Sequence, residues 1–103
     1  PGFITTVFTE QEIAYCETKR FKHEHYAARF AAKESVMKAV GRGWLQGLQW
    51  TDIEVVNRSS GEPAIRAHGT LQKAMRERGI ASFAVSVSHC RHYAVASVIA
   101  EPA

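Results

Sequence analysis

Glu34 and Lys38 are the first residues of this chain whose types and spacing could do chemistry. They stand four positions apart in the stretch from Glu24 to Val40, which is rich in alanine and closed by Gly41. Such a stretch favours helix, and on a helix residues four apart share a face. Ala27 and Phe30 lie on or beside that face, so Glu34 sits among small and apolar groups. In the plain reading Glu34 and Lys38 form an ordinary helical ion pair, which stabilises an exposed helix by only about 0.2 to 0.5 kcal/mol. In the functional reading Glu34 coordinates a hard divalent cation while Lys38 faces a phosphate held by the same cation. Magnesium commonly takes one or two carboxylates together with substrate phosphates, so one visible acidic ligand is enough to keep that reading.

Arg29, Lys33 and Arg42 continue the line of cations along the helix and into its exit, Gly41-Arg42-Gly43. Glycines there allow a tight turn or a close backbone approach to a ligand. The tripeptide lacks the length and the Lys-Ser/Thr ending of a P-loop. A cation near a helix C-terminus also complements the dipole, which gives Arg42 a structural reading of equal standing. His89 follows Val85-Ser86-Val87-Ser88 and precedes Arg91 and His92. A histidine at a strand end can contact a ligand or simply pack in a turn. Spacing assigns His89 no acidic partner, and the chain has no G-x-S-x-G elbow, so a serine-hydrolase triad is disfavoured.

The elements that must position these groups are legible in outline. Thr9 and Glu12 form a capping-box pattern for a short helix over Glu10 to Glu17, with Phe8 and Ile13 placed to staple it. After the basic stretch Lys19-Arg20-Phe21-Lys22 comes the long helix, and Trp44, Leu45, Leu48 and Trp50 then supply a bulky apolar patch. Thr51 to Arg58 and Ala64 to Ala67 read as strands joined through Ser59-Ser60-Gly61-Glu62-Pro63. Thr70 is placed to cap a helix that runs to Arg78, stops at Gly79 and buries Leu71, Ala74 and Met75. Phe83 to Ser88 and Tyr93 to Ala100 alternate with the period of strands and imply an antiparallel hairpin. The expected fold is α+β, an antiparallel sheet packed against a long central helix.

With 103 residues the chain can build one core, so residues 1–103 are read as a single domain. A domain this small gains stability by associating with copies of itself. Its net charge of +3 favours an anionic partner without choosing among nucleotide, acidic protein and nucleic acid. No aromatic-basic recognition motif supports nucleic acid. No apolar run reaches the roughly 18 residues of a membrane span, and the first residues lack a charged segment followed by an apolar stretch and a cleavage site. The two cysteines, Cys16 and Cys90, lack metal-ligand spacing and read as free thiols of a cytoplasmic protein.

Three stretches together resemble holo-acyl-carrier-protein synthases, the short 4'-phosphopantetheinyl transferases. They are Phe8-Thr9-Glu10-Gln11-Glu12-Ile13, then Ala28-Arg29-Phe30-Ala31-Ala32-Lys33-Glu34-Ser35-Val36-Met37-Lys38-Ala39, and finally Val85-Ser86-Val87-Ser88-His89. Trp50-Thr51-Asp52-Ile53-Glu54-Val55 and Gly61-Glu62-Pro63 resemble the family's middle strand and turn, so the likeness covers nearly the whole chain. The resemblance implies magnesium-dependent transfer of phosphopantetheine from coenzyme A to a serine of an acyl carrier protein, with release of 3',5'-ADP. It implies Glu34 as the metal ligand, Lys38 at the pyrophosphate, and Arg29 and His89 near the adenosine 3'-phosphate. Lys33, Arg42 and Gly43 complete the expected coenzyme A contacts. It also implies a homotrimer with coenzyme A at the subunit interfaces. Lys19, Arg20 and Lys22 are a candidate docking patch for an acidic carrier. Family members open with a Gly-x-Asp strand whose aspartate is a second metal ligand, and nothing before Phe3 matches it. The expectation is that this strand lies upstream of Pro1; the competing expectation is a catalytically silent module that binds coenzyme A or a carrier protein.

Overall fold

A computed structural model describes residues 2–41 and 47–103. The chain forms α1 (Gly2–Val7), α2 (Glu10–Glu17), α3 (Lys22–Val40), a 3-10 turn at Trp50–Asp52, the strands β1 (Ile53–Asn57) and β2 (Pro63–Ala67), α4 (Gly69–Arg78), and the strands β3 (Ile80–His89) and β4 (Ala94–Pro102). No element was expected ahead of Thr9, so α1 is an addition to the sequence reading. Arg42, Gly43, Trp44 and Leu45 lie outside the described residues, and the expectations placed on them are not carried further.

The start of α2 follows from its sequence. Thr9 Oγ1 accepts from the Glu12 backbone N–H at 3.2 Å, and Glu12 accepts from the Thr9 backbone N–H at 2.9 Å, which closes the capping box. Phe8 is buried and Ile13 packs against its cluster, as a staple requires. Along α3 the buried residues Tyr26, Arg29, Lys33, Val36 and Val40 recur at helical spacing, and Ala28 and Ala32 widen the stripe. Gly41 ends the helix at φ 96°, a backbone region that favours glycine. For α4 the expected cap is displaced: the N-cap is His68, not Thr70, and its side chain makes no capping bond. Gly69 opens this helix at φ 51° with the Asp52 carboxylate so close that a Cβ would meet Oδ1 at 2.8 Å. The close approach, rather than hydroxyl capping, fixes the entry. Gly79 stops the helix in the left-handed region, as expected.

The strands form two antiparallel hairpins, β1 with β2 and β3 with β4. In the second, Phe83 pairs with Ala100, Val85 with Val98, Val87 with Ala96 and His89 with Ala94. These pairs share one face, and α3 packs against both strands. Period-two alternation therefore puts His89 on the face that carries Val85 and Val87. Small side chains let the helix approach: Ser35 donates from α3 to the Ala96 carbonyl at 3.2 Å. The opposite face carries Ala84, Ser86, Ser88, Val95, Ser97 and Ile99, all exposed.

One core cluster joins Val36 and Val40 of α3 to Ile53, Leu71, Ala74 and Phe83. A second joins Val7, Phe8, Cys16 and Tyr26. Lys33 and Glu12, both fully enclosed, form an ion pair of 2.7 Å that ties α3 to α2.

Candidate functional site

Residues from α2, α3, β1 and β3 meet at a cleft of about 200 Å³ lined by Tyr15, His25, Arg29, Asn57, Val87 and His89, among others. Arg29 reaches it from the buried stripe of α3 and is only 6% exposed. Its guanidinium lies over the Tyr15 ring at 4.1 Å and donates through one terminal nitrogen to Asn57 Oδ1 at 2.7 Å. The Asn57 amide is oriented by its own donation to the Gly61 carbonyl at 3.1 Å, so the turn between β1 and β2 fixes what Arg29 sees. Arg29 Nε is buried and has no hydrogen-bond partner among the described residues. An unpaired buried donor on a guanidinium is costly, and an arriving oxyanion removes that cost.

His89 reaches the same cleft from the end of β3. Its Nδ1 lies 3.1 Å from Glu24 Oε1. A carboxylate there accepts, so Nδ1 carries the hydrogen, and Nε2 is left for another partner, as an acceptor in the neutral ring and as a donor to an anion in the protonated one. Sequence spacing had offered His89 no acidic partner; folding supplies Glu24 from the first turn of α3. His25, which the sequence reading missed, stands beside it with ring centroids 5.0 Å apart. Burial pushes the His25 imidazole below its usual value, and the neighbouring positive or ionisable groups His89, Lys19 and Arg29 push the same way against the pull of Glu24.

Glu34 and Lys38 stand apart from this cleft. Both are exposed on α3, and neither has a hydrogen bond or ion pair among the described residues. The ordinary helical pair of the plain reading is therefore not formed. Glu34 also escapes the burial penalty that its small and apolar neighbours implied, because that face is open to water. It lies five residues beyond Arg29, about 7.5 Å along the helix axis.

Lys33 needs a correction. It was expected to meet coenzyme A, but its side chain is fully buried and its ammonium donates to Glu12 Oε1 at 2.7 Å, the Trp50 carbonyl at 3.1 Å and the Ile53 carbonyl at 2.5 Å. An ammonium has three N–H groups, and all three are engaged. Its position in the stripe Arg29, Lys33, Val36, Val40 was the available signal. Burial pulls the Lys33 pKa down while Glu12 raises it, and burial prevails.

The basic stretch after α2 forms the wall of a second cleft, of about 570 Å³, with Lys19, Arg20, Phe21, Lys22, His23 and Arg91. Lys22 is partly neutralised by Glu17 at 3.1 Å, and Phe21 is 55% exposed. Both cysteines are free; burial raises the Cys16 thiol to about 11, so it is an inert core group.

The described residues contain no group of three or more His, Cys, Asp or Glu able to hold a metal ion. They also contain no helix long and apolar enough to cross a membrane.

Residues 1–97 match the model of the 4'-phosphopantetheinyl transferase superfamily. A holo-[acyl-carrier-protein] synthase of Solibacter usitatus is 44% identical over 99 residues, which is 96% of this chain and 79% of that protein. The crystal structure of a holo-[acyl-carrier-protein] synthase from Neisseria meningitidis superposes with a TM-score of 0.86 at 29% identity, covering 97% of this chain and 80% of that one. A holo-(acyl-carrier-protein) synthase from Bacillus anthracis, solved in complex with coenzyme A (3',5'-ADP), gives 0.80 at 31% identity over 99% of this chain and 82% of that one.

Proposed function

Because this chain belongs to the 4'-phosphopantetheinyl transferase superfamily, we propose that it works as a holo-acyl-carrier-protein synthase. It transfers the 4'-phosphopantetheine group of coenzyme A to a serine of an acyl carrier protein and releases 3',5'-ADP. The observation that carries this reading is the cleft in which Arg29 and His89 converge one stretch of helix before Glu34 and Lys38, with Arg29 Nε, the Glu34 carboxylate and the Lys38 ammonium unpaired among the described residues.

In the reaction the carrier serine hydroxyl gives up its proton to solvent as its oxygen attacks the β-phosphorus of coenzyme A, and the bond from that phosphorus to the bridging diphosphate oxygen breaks. Catalysis of this kind rests on positioning and charge neutralisation. Arg29 and His89 hold the adenosine 3'-phosphate and so fix the nucleotide end. Lys38 supplies positive charge where the departing 3',5'-ADP gains negative charge. Glu34 is a hard oxygen donor that no neighbour among the described residues occupies, which fits it as a magnesium ligand. Magnesium, when bound, neutralises the diphosphate and leaves its phosphorus open to attack. Glu34 would be the protein carboxylate that holds it.

Residues 1–103 serve as one domain in this reading, and the enzyme is a cytoplasmic homotrimer. The two free thiols support the compartment. The exposed outer face of β3 and β4, where Val95 is 55% and Ile99 66% exposed, supports association of copies. Lys19, Arg20 and Lys22 suit the acidic surface of a carrier.

Incubation with coenzyme A, magnesium and an apo-carrier protein, followed by mass spectrometry of the carrier serine, tests the reading. A phosphopantetheinylated serine supports it. Coenzyme A binding without transfer favours the alternative, a catalytically silent binding module, which the single acidic ligand on α3 keeps in view. Failure to bind either coenzyme A or the carrier protein rejects both.

A further inference from the structure

His25 adds a second imidazole to the cleft that Arg29 and His89 already line. It sits one residue after Glu24, the group that fixes the His89 ring through Nδ1 at 3.1 Å, and packs edge-on against that ring at 5.0 Å. From α2 the Tyr15 ring covers its other side at 5.9 Å. The charged or titratable groups that face it are Lys19 from the segment after α2, Glu24 and Arg29 from α3, and His89 from β3. Burial holds the His25 pKa below its ordinary value, and three of these four groups work in the same direction. The same crowding of positive charge reverses once an anion occupies the cleft. A phosphomonoester is a dianion above about pH 6, and the lone pairs on its terminal oxygens outnumber the N–H groups that Arg29 and His89 provide.

We propose that His25 is a further specificity-determining residue of this cleft, contacting the bound phosphomonoester and taking up a proton as it binds. This rests on the reading of the cleft as the 3'-phosphate end of coenzyme A. The consequence is a preference for coenzyme A over dephospho-coenzyme A that strengthens as pH falls through the histidine range. His25 and His89 act as a pair: the dianion offsets the repulsion that otherwise opposes charge on neighbouring imidazoles.

The test is calorimetric binding of coenzyme A and of dephospho-coenzyme A to the full chain at about pH 6.5 and about pH 8.5, bracketing the histidine range. Each titration is repeated in two buffers of different ionisation enthalpy, which counts protons taken up. The wild type is expected to take up protons with coenzyme A and not with dephospho-coenzyme A. His25→Gln is expected to lose about 10-fold in coenzyme A affinity at the lower pH, the scale of one charge-assisted contact, with dephospho-coenzyme A changed less than about 2-fold. His89→Gln, measured alongside, reports on the underlying site. If coenzyme A binds with the same preference and the same proton uptake in His25→Gln, the inference fails while the coenzyme A reading stands. If the wild type does not distinguish the two ligands, the 3'-phosphate assignment itself falls. Circular dichroism of His25→Gln establishes that any loss is not unfolding.

Discussion

Replacing Lys33 by methionine tests whether the buried ion pair is structural. In the wild type the ammonium makes three short hydrogen bonds, to Glu12 and to the carbonyls of Trp50 and Ile53. Methionine fills much of the same volume but donates nothing. Both carbonyls lose the ammonium, the Trp50 carbonyl keeping the Ile53 backbone N–H, and the Glu12 carboxylate, fully enclosed, keeps the backbone N–H groups of Thr9 at 2.9 Å and Val55 at 2.8 Å. Breaking a buried pair by removing one partner typically destabilises by about 3 to 5 kcal/mol, and the two remaining donors argue for the lower end. Against a total stability of roughly 5 to 15 kcal/mol, such a loss is large for a chain this short. Urea unfolding followed by circular dichroism measures it, with the double variant Lys33→Met/Glu12→Gln closing a mutant cycle. The double variant is expected to recover part of the loss, because no charge is then left buried alone. The reasoning is refuted if Lys33→Met unfolds within about 0.5 kcal/mol of the wild type, the range of an ordinary surface change. A selective loss of coenzyme A affinity at unchanged stability would restore Lys33 to the ligand.

Thr9→Ala removes both the N-cap of α2 and a 2.6 Å hydrogen bond to Glu54, and is expected to lower stability by about 1 to 2 kcal/mol in the same urea assay. Val95→Asp, on the outer face of β3 and β4, is expected to shift a sizing or ultracentrifugation profile toward monomer; an unchanged profile would remove that face from the proposed assembly. Stability should fall as the solution is acidified. Burial pushes the Glu54 carboxyl up, but hydrogen bonds from Thr9 and His68 and the charges of His68 and Arg66 outweigh it and hold the group below the ordinary 4.5. Its contribution is present above that value and is lost as pH drops through the lower folded one. His25 is held below the ordinary 6.5, so between its folded value and 6.5 the unfolded chain binds more protons and folding weakens as pH falls. Urea midpoints across that range should therefore decline toward acid, and a rise would contradict both assignments.

Local rules made much of this fold legible. The capping box at Thr9 and Glu12, the span of α3, the stop at Gly79 and both hairpins follow from short-range pattern, and they formed where the pattern put them. β3 runs one residue past the expected Ser88, so His89, which the pattern put in the turn, continues its alternation on the face that α3 covers. What the sequence hid were meetings across distance. Glu12 and Lys33 are 21 residues apart, and Glu24 and His89 are 65 apart, so no periodicity links them. The helical stripe shared by Arg29, Lys33, Val36 and Val40 did hold a clue that Lys33 turns inward, but its place beside Glu34 drew attention to chemistry instead. Thr70 shows the same limit: a hydroxyl near a helix start signals a cap, whereas here the Asp52 carboxylate packed under Gly69 sets the entry. Arg29 and His89 do converge, while Glu34 and Lys38 stay exposed on α3 outside their cleft.

The central claim is that Glu34 binds the metal that coenzyme A needs. Its most direct test is coenzyme A affinity with and without magnesium, measured by calorimetry for the wild type and for Glu34→Gln. Because Glu34 is exposed and unpaired among the described residues, the substitution should leave stability within about 0.5 kcal/mol. Magnesium is expected to tighten binding in the wild type and to have no such effect in Glu34→Gln. An equal tightening in both proteins would contradict the claim.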